Sequence, residues 1–360
     1  MDSGFFRHYS SATLAGGGSQ TVFESDGEPV TGRIYNRVYV DGEYDFSFLF
    51  ANVTDSTFSD GSRSVRNMKI PPWRLISASV AVSDGCEPAD GDEAGRTELL
   101  FGGSRSKYVG EGEVFTSDPV RLTVRKGQYL SVGITCAGGL MPCHEESVVP
   151  VFVKSEEGWR PCVHIPVPAM TGCSRQVKTR VCFWGDSITQ GIGAPKNSYL
   201  HYSARTAELV GFDGIAWWDL GLGFARADDA ATCGVWMDKA KTNGVVSVCF
   251  GVNDINKGFS AGQLKENIRT IVSELKKAGC RVLLQTVPPY NHSGEKLEIW
   301  REVNRFIRED CSIGADAVFD CAELLGDPEM PQKAVFGGHP NAEGCRIWAE
   351  GLAPVLKKLI

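Results

Sequence analysis

Three short segments of this chain carry side chains whose types suit nucleophilic chemistry. Ser187 follows an apolar stretch typical of a buried strand. A serine on a tight strand-to-helix turn can expose its hydroxyl at the N-terminus of the helix, which favours a nucleophile. Asn253 follows a second apolar stretch, and His339 comes just before the last predicted helix. These three side chains are therefore candidates for a reactive site.

The pairing of a serine with a histidine predicts acyl chemistry. The Ser187 hydroxyl would attack an ester carbonyl carbon, and His339 would take its proton and later pass it to the departing alcohol. Each residue also has a simpler interpretation. A serine before a helix is usually an N-cap, an asparagine after a strand usually forms a local turn, and a histidine before proline usually lies in a loop.

Taken together, the three segments resemble the SGNH (GDSL-type) hydrolase family. The runs Gly185-Asp186-Ser187-Ile188, Gly251-Val252-Asn253-Asp254 and His339-Pro340-Asn341 occur in the family's order. The resemblance covers about residues 179–360. It implies a three-layer α/β/α sandwich of the flavodoxin type, and ester hydrolysis or acyl transfer as the activity.

The resemblance also implies an oxyanion hole. Charge that develops on the carbonyl oxygen needs convergent donors, and one such donor is typically worth about 2.7–4 kcal/mol in the transition state. The implied donors are the Ser187 backbone N–H, a glycine N–H after the second strand and the Asn253 side-chain amide. Asp186 and Asp254, the neighbours of two of these donors, are expected to support them.

Two glycines could supply the remaining donor. The segment 219–225 resembles the family's Asn-x-Gly-x-x-Gly block, but Phe224 stands where the donor glycine is often found. We expect Gly223 to be the donor, because glycine readily adopts the positive φ that would turn its N–H into the site. Gly221 is the alternative. The Gly221-x-Gly223 pair could also belong to a dinucleotide-binding fingerprint, but Arg226 occupies the third glycine position, which argues against that interpretation.

The histidine segment departs from the family's usual Asp-x-x-His pattern. Phe336 stands three residues before His339, so no carboxylate is available there to hold the imidazole tautomer. Losing this carboxylate costs about 10⁴ in kcat in a Ser-His-Asp enzyme. We expect a Ser-His dyad; in the alternative, Asp327 or Glu329 of the same loop substitutes for the acid.

A parallel sheet would bring these residues together, and the second half of the sequence predicts one. Apolar stretches alternate with amphipathic helices there, which is typical of a parallel sheet covered on both faces, with ligands at the carboxyl ends of its strands. The predicted strands are Val181–Trp184, Ile215–Leu220, Val245–Phe250, Arg281–Val287 and Ala317–Asp320. The clearest predicted helices are Gln263–Lys277 and Ala342–Leu356.

The first half of the sequence predicts a β-sandwich or jelly roll. Apolar residues alternate over 38–50 around Asp41-Gly42, a preferred hairpin dipeptide, and alternate again over 130–136 after a turn at Lys126-Gly127. Residues 155–178 are rich in proline and glycine, and we place the linker there. The predicted organisation is an accessory sandwich with its linker over 1–178 and a catalytic domain over 179–360.

This arrangement resembles the carbohydrate esterases of family 2, some of which rely on a Ser-His dyad. It is similar also to two-domain GDSL lipases and acyltransferases. The first resemblance implies removal of short acyl groups, acetyl above all, from a carbohydrate. The open alternatives are a lipase, lysophospholipase or acyltransferase, and a binding protein that has lost catalysis, which Phe336 motivates.

The role of the sandwich is also open. It could bind glycan, wall one side of the cleft or only stabilise the catalytic domain. Trp217, Trp218 and Trp236 could form a platform on which sugars stack, although tryptophans around a strand more often belong to the core.

Composition limits the remaining possibilities. The chain has 42% hydrophobic and 22% charged residues and a net charge of −7, so it is typical of a globular protein and nucleic acid is not an expected partner. The 12 cysteines and 6 histidines show no ligand spacing, so we expect no metal, no cofactor and mostly reduced, buried thiols. Without a leader or an apolar run of ~18 residues, the expected protein is cytoplasmic, does not span a membrane and acts on a small-molecule or glycan ester. The sequence does not predict its oligomeric state.

Overall fold

The structure of the protein is a computed structural model, which describes residues 3–14, 21–55, 66–88, 95–143, 149–162, 165–326 and 338–360. Over these residues, antiparallel strands lie in the first half of the chain and a parallel sheet lies in the second. Both parts of the predicted fold class are confirmed.

The first half forms a sandwich of two antiparallel sheets. Phe46, Phe48 and Phe50 project from one sheet and Val132 and Ile134 from the other, and all five belong to one buried apolar cluster. Their spacing of two residues puts them on one face of each strand. The seven-stranded sheet consists of β2 (Val30–Arg37), β4 (Trp73–Ser83), β5 (Thr97–Glu98), β6 (Lys107–Val109), β9 (Tyr129–Ala137), β11 (Val151–Ser155) and β12 (Gly158–Pro161). The four-stranded sheet consists of β3 (Gly42–Ala51), β7 (Val114–Thr116), β8 (Val120–Val124) and β13 (Met170–Cys173). A separate pair is formed by β1 (Thr21–Glu24) and β10 (Leu140–Cys143).

The hairpin predicted at Asp41-Gly42 is wrong. Strand β2 pairs with β9 and β11, whereas β3 pairs with β7, β8 and β13, so residues 38–41 cross from one sheet to the other. The crossing segment is fixed by its neighbours, since the Val38 N–H donates to the Gln128 carbonyl and the Tyr39 N–H to the Ala12 carbonyl. The alternation therefore predicted the strand over 42–50 correctly, but residues 38–40, predicted as its hairpin partner, lie outside the strands.

The second half contains a five-stranded parallel sheet. Its spatial order is β15 (Ile215–Asp219), β14 (Thr179–Gly185), β16 (Val245–Cys249), β17 (Arg281–Gln285) and β18 (Ala317–Phe319). Numbered along the chain this is order 2-1-3-4-5, that of flavodoxin-like folds. All five predicted strands are present, each within two residues of its predicted start and end.

Helices cover both faces of this sheet. Phe183 of β14 contacts Tyr202, and its neighbour Trp184 contacts Trp236. Successive residues of a strand point to opposite faces, so Tyr202 and Trp236 belong to different layers. The helices are α1 (Ser3–His8), α2 (Ser187–Gln190), α3 (Tyr202–Val210), α4 (Ala227–Ala230), α5 (Val235–Lys241), α6 (Val252–Asn256), α7 (Ala261–Lys277), α8 (Glu295–Glu309), α9 (Cys321–Leu325) and α10 (Ala342–Lys357), with a 3₁₀ turn at Cys311–Ile313. The helices predicted over 263–277 and 342–356 are confirmed.

The two halves share an apolar contact. Phe5 and Phe6 of α1, Leu49 of β3 and Met170 of β13 belong to the same buried cluster as the residues of the parallel sheet. Leu49 points away from the sandwich core that its neighbours Phe48 and Phe50 fill, so β3 is buried on both faces. The boundary between residues 178 and 179 stays a prediction. In the described parts of the chain, no helix is both long enough and apolar enough to cross a membrane.

Candidate active site

Ser187 is the first residue of α2, directly after the carboxyl end of β14. Asp186 caps this short helix, and its carboxylate accepts a 2.9 Å hydrogen bond from the Ile188 N–H. Gly185 is required at the turn, because a Cβ there would lie 2.5 Å from the Cys249 carbonyl oxygen and 2.1 Å from the Thr189 hydroxyl. The strand end and the cap therefore fix the direction of the serine side chain.

The imidazole of His339 meets this serine. Its Nε2 lies 2.8 Å from the Ser187 Oγ, although the two residues are 152 positions apart. Asn341 caps the following helix α10 by accepting from the Gly344 N–H, which fixes the chain just beyond the histidine. On the other side, Gly193 approaches so closely that a Cβ there would lie 2.7 Å from the His339 Cβ.

Partial burial disfavours the charged form of the imidazole. Desolvation lowers the pKa of His339 below its ordinary value, and among the described residues no carboxylate forms an ion pair with it. A neutral imidazole within hydrogen-bond distance of a hydroxyl can act as a general base. The two proposed substitute acids, Asp327 and Glu329, and also Phe336, lie outside the described residues. The Ser-His dyad stays a prediction.

Asn253 lies in the first turn of α6, after the carboxyl end of β16. One of its amide hydrogens donates to the Ala225 carbonyl at 2.9 Å. This contact ties α6 to the loop after β15, where the remaining oxyanion donor is expected. An asparagine amide carries two hydrogens, so the second remains to act on a substrate oxygen.

Asp186 and Asp254 are structural supports of the site. Both carboxyl groups are buried, and desolvation raises the pKa of each to about 7. The Asp254 carboxylate accepts from the Ala227 N–H at 2.9 Å and from the Asp228 N–H at 3.2 Å, so it caps α4. The two carboxylates therefore hold the serine turn and the first turn of α4 in shape; that they support the oxyanion donors stays a prediction.

The loop after β15 does not have the positive φ that we expected at Gly223. Positive φ occurs at Phe224, where φ is 58°, and not at Gly223. The N–H of Gly221, the alternative donor, donates instead to the Asp219 carboxylate. A Cβ on Gly221 would lie 2.1 Å from the Gln190 backbone nitrogen, so the chain packs closely there. The position that resembles the family's donor glycine therefore adopts glycine-like backbone geometry with a phenylalanine side chain.

The suggestion that three tryptophans form a platform for sugars is also wrong. Trp217 and Trp218 are fully buried and Trp236 is 1% exposed, so none of them can stack on a sugar. Trp217 stacks on Phe183 at 5.6 Å between ring centroids, inside the core.

Two groups near the site were missed by the sequence reasoning. The ring of Tyr290 meets that of His339 edge-on, and the half-buried Tyr290 carries a raised pKa because of desolvation and the nearby Asp186. His292 is buried behind it, and desolvation lowers its pKa to about 4. Tyr290 follows the carboxyl end of β17, so the strand-end rule that found Ser187 could have found it. The described residues contain no group of three or more metal-ligating side chains.

A family model matches the part of the chain that carries this geometry. Residues 183–347 match the GDSL-like Lipase/Acylhydrolase family. They form a GDSL-like lipase/acylhydrolase domain. This part of the chain is therefore similar to the family that the resemblance indicated. Nothing among curated proteins matches the chain.

Solved structures that resemble the chain are of two kinds. A member of the lipolytic protein G-D-S-L family from Veillonella parvula is 17% identical, with 50% of this chain and 98% of that chain covered and a TM-score of 0.43. A GDSL-like lipase from Bacteroides thetaiotaomicron is 16% identical, with 50% and 89% covered and a TM-score of 0.40. A family two carbohydrate esterase from Clostridium thermocellum is 13% identical, with 97% and 98% covered and a TM-score of 0.41.

Proposed function

We propose that this protein is a serine esterase that removes short acyl groups, acetyl most readily, from carbohydrate esters. Ser187 is the nucleophile and His339 the general base. The observation that carries the proposal is the 2.8 Å contact between the Ser187 Oγ and the Nε2 of His339, a half-buried imidazole whose pKa is lowered by desolvation. A binding protein that had lost catalysis would have no need to keep this contact.

The reaction proceeds in two steps. The Ser187 Oγ forms a bond to the carbonyl carbon while its proton moves to His339, and the same proton then goes to the leaving alcohol as the acyl-enzyme forms. Water repeats the sequence, giving its proton to His339 and releasing the acid and the free serine. The oxyanion receives hydrogen bonds from the Ser187 N–H, the Asn253 amide and an N–H of Gly223 or Phe224. Each such donor contributes about 2.7–4 kcal/mol to the transition state.

Carbohydrate and acetyl are proposed from the resemblance of the domain pairing to family 2 carbohydrate esterases. In this proposal, residues 179–360 are the catalytic domain and residues 1–178 an accessory domain. The same dyad would serve a lipase, a lysophospholipase or an acyltransferase, so the acyl chain length and the acceptor must be measured.

The test is hydrolysis of p-nitrophenyl acetate, butyrate and octanoate, and of acetylated cellobiose. Wild type is compared with Ser187→Ala and His339→Ala. The control is Ser312→Ala, which removes an exposed hydroxyl from the 3₁₀ turn at Cys311–Ile313. We expect activity that falls with chain length, that drops at least about 10³-fold in the first two variants and that is unchanged in the control.

Three other outcomes would each change or overturn the proposal. A preference for octanoate would replace the acetylesterase with a lipase, and product formation that needs an added alcohol would replace it with an acyltransferase. A wild-type protein that hydrolyses none of these esters and is not labelled at Ser187 by a fluorophosphonate would overturn the proposal.

A further inference from the structure

We propose that the N-terminal sandwich holds part of the oxyanion hole in position, with Arg66 as the positioning residue. The part held is residues 223–230, which we call the donor segment. This inference rests on the proposed function and assigns a catalytic purpose to the first half of the chain.

The donor segment is bound to α6 on one side. The Asn253 amide donates to the Ala225 carbonyl, and the Asp254 carboxylate accepts from the N–H groups of Ala227 and Asp228. These contacts fix the backbone of α4 relative to Asn253. The first three residues of the segment, which include Phe224 and its positive φ, precede this anchored turn.

The sandwich binds the same segment from the other side. Arg66, which precedes β4, forms ion pairs with Asp228 and Asp229 of α4, the second at 3.5 Å. The Asp229 side chain is buried and also receives the Arg226 guanidinium at 2.8 Å and the Arg226 N–H at 3.0 Å. The Asp229 carboxylate thus links Arg66 to the backbone N–H of Arg226, which follows the proposed donor at Gly223 or Phe224.

Further contacts hold the chain that follows α4. The Asn67 amide donates to the Thr232 hydroxyl at 3.0 Å, and the Asn67 side chain fills the space beside Gly234, where no Cβ would fit. The next helix carries a buried ion pair, between Lys239, the fifth residue of α5, and Asp55, at 2.6 Å. Arg66 therefore contacts α4, Asn67 contacts the turn between α4 and α5, and Asp55 contacts α5.

These contacts matter for rate because an oxyanion donor must be placed accurately. A misplacement of about 1 Å near a reacting group can cost about 10²-fold. Removing Arg66 leaves the α6 contacts in place, so we expect a smaller effect, a fall in kcat of about 10-fold with little change in KM.

The first measurement compares kcat per active site, counted by fluorophosphonate titration, in wild type, Arg66→Met, Arg66→Lys and Arg121→Met. Arg121 is a matched control, because it pairs with Glu43 and Asp45 on an exposed part of the same sandwich. We expect the loss in Arg66→Met, partial recovery in Arg66→Lys and wild-type kcat in Arg121→Met. Counting sites separates misfolding from slower chemistry.

The second measurement does not depend on activity. Amide hydrogen exchange over residues 223–230 should be at least 10-fold faster in Arg66→Met than in Arg121→Met. Equal exchange in the two variants overturns the proposal whether or not the wild type is an esterase. Faster exchange with an unchanged kcat per site overturns the catalytic role of Arg66 and leaves the proposed function intact. A wild type without esterase activity overturns the proposed function and this inference with it.

Discussion

The ring of Tyr290 meets the imidazole of His339 edge-on, with 5.6 Å between the centroids and 81° between the planes. It also packs against Gly338, the residue before the histidine, since a Cβ on Gly338 would lie 3.5 Å from the Tyr290 ring. The aromatic ring therefore limits the rotation of the general base. No carboxylate of the described residues does so.

Replacing this ring should slow catalysis without removing it. An aromatic pair of this kind is worth about 0.5–1.5 kcal/mol, so Tyr290→Ala should lower kcat roughly 2- to 12-fold. Tyr290→Phe keeps the ring and should retain wild-type kcat. The check is steady-state hydrolysis of p-nitrophenyl acetate. If Tyr290→Phe is as slow as Tyr290→Ala, the hydroxyl and not the ring is the active feature.

The pH dependence of kcat/KM reports the protonation state of His339. Since burial disfavours the imidazolium, its pKa is lowered, and the neutral base is present at any pH above that value. We expect the acidic limb of the profile to have its midpoint below pH 6.5, with a plateau at neutral pH. A midpoint above 6.5 would mean that an acid faces the imidazole and would contradict the dyad.

The backbone at Phe224 allows a test of the remaining oxyanion donor. A positive φ is strained for a phenylalanine and a genuine outlier for a β-branched residue. Phe224→Gly should therefore keep kcat within about threefold of wild type, whereas Phe224→Val should lower kcat by 10-fold or more as the N–H turns away. Phe224→Val with wild-type kcat would show that no donor depends on this conformation.

The buried ion pair of Asp55 and Lys239 predicts non-additive effects on stability. Both side chains are inaccessible to solvent, and removing one partner of such a pair costs about 3–5 kcal/mol because the other charge stays buried. Asp55→Leu and Lys239→Met should each lower the free energy of unfolding by this amount, and the double variant by much less than the sum. Urea denaturation measures all three. Additive losses would mean that the two charges do not interact.

The sequence by itself determined the parallel sheet and the positions of Ser187 and Asn253 just after the ends of two of its strands. Buried parallel strands are continuous apolar runs, and the carboxyl ends of such strands meet at one edge of the sheet. Side chains just after those ends are neighbours in space, which is why local pattern was enough to place these two. His339 was found from its place before the last helix and from the resemblance of His339-Pro340-Asn341 to the family's segment, and the structure brings it to the Ser187 Oγ.

Which strands pair, and which distant side chains contact each other, was decided only by the tertiary structure. Alternation over 42–50 predicts the strand β3 but not the strands it pairs with, because a strand has the same period whichever strand it pairs with. The contacts of Arg66 with Asp228 and of Lys239 with Asp55 join residues more than 160 positions apart. Nothing local specifies such pairs, since they exist only once two separately folded surfaces meet.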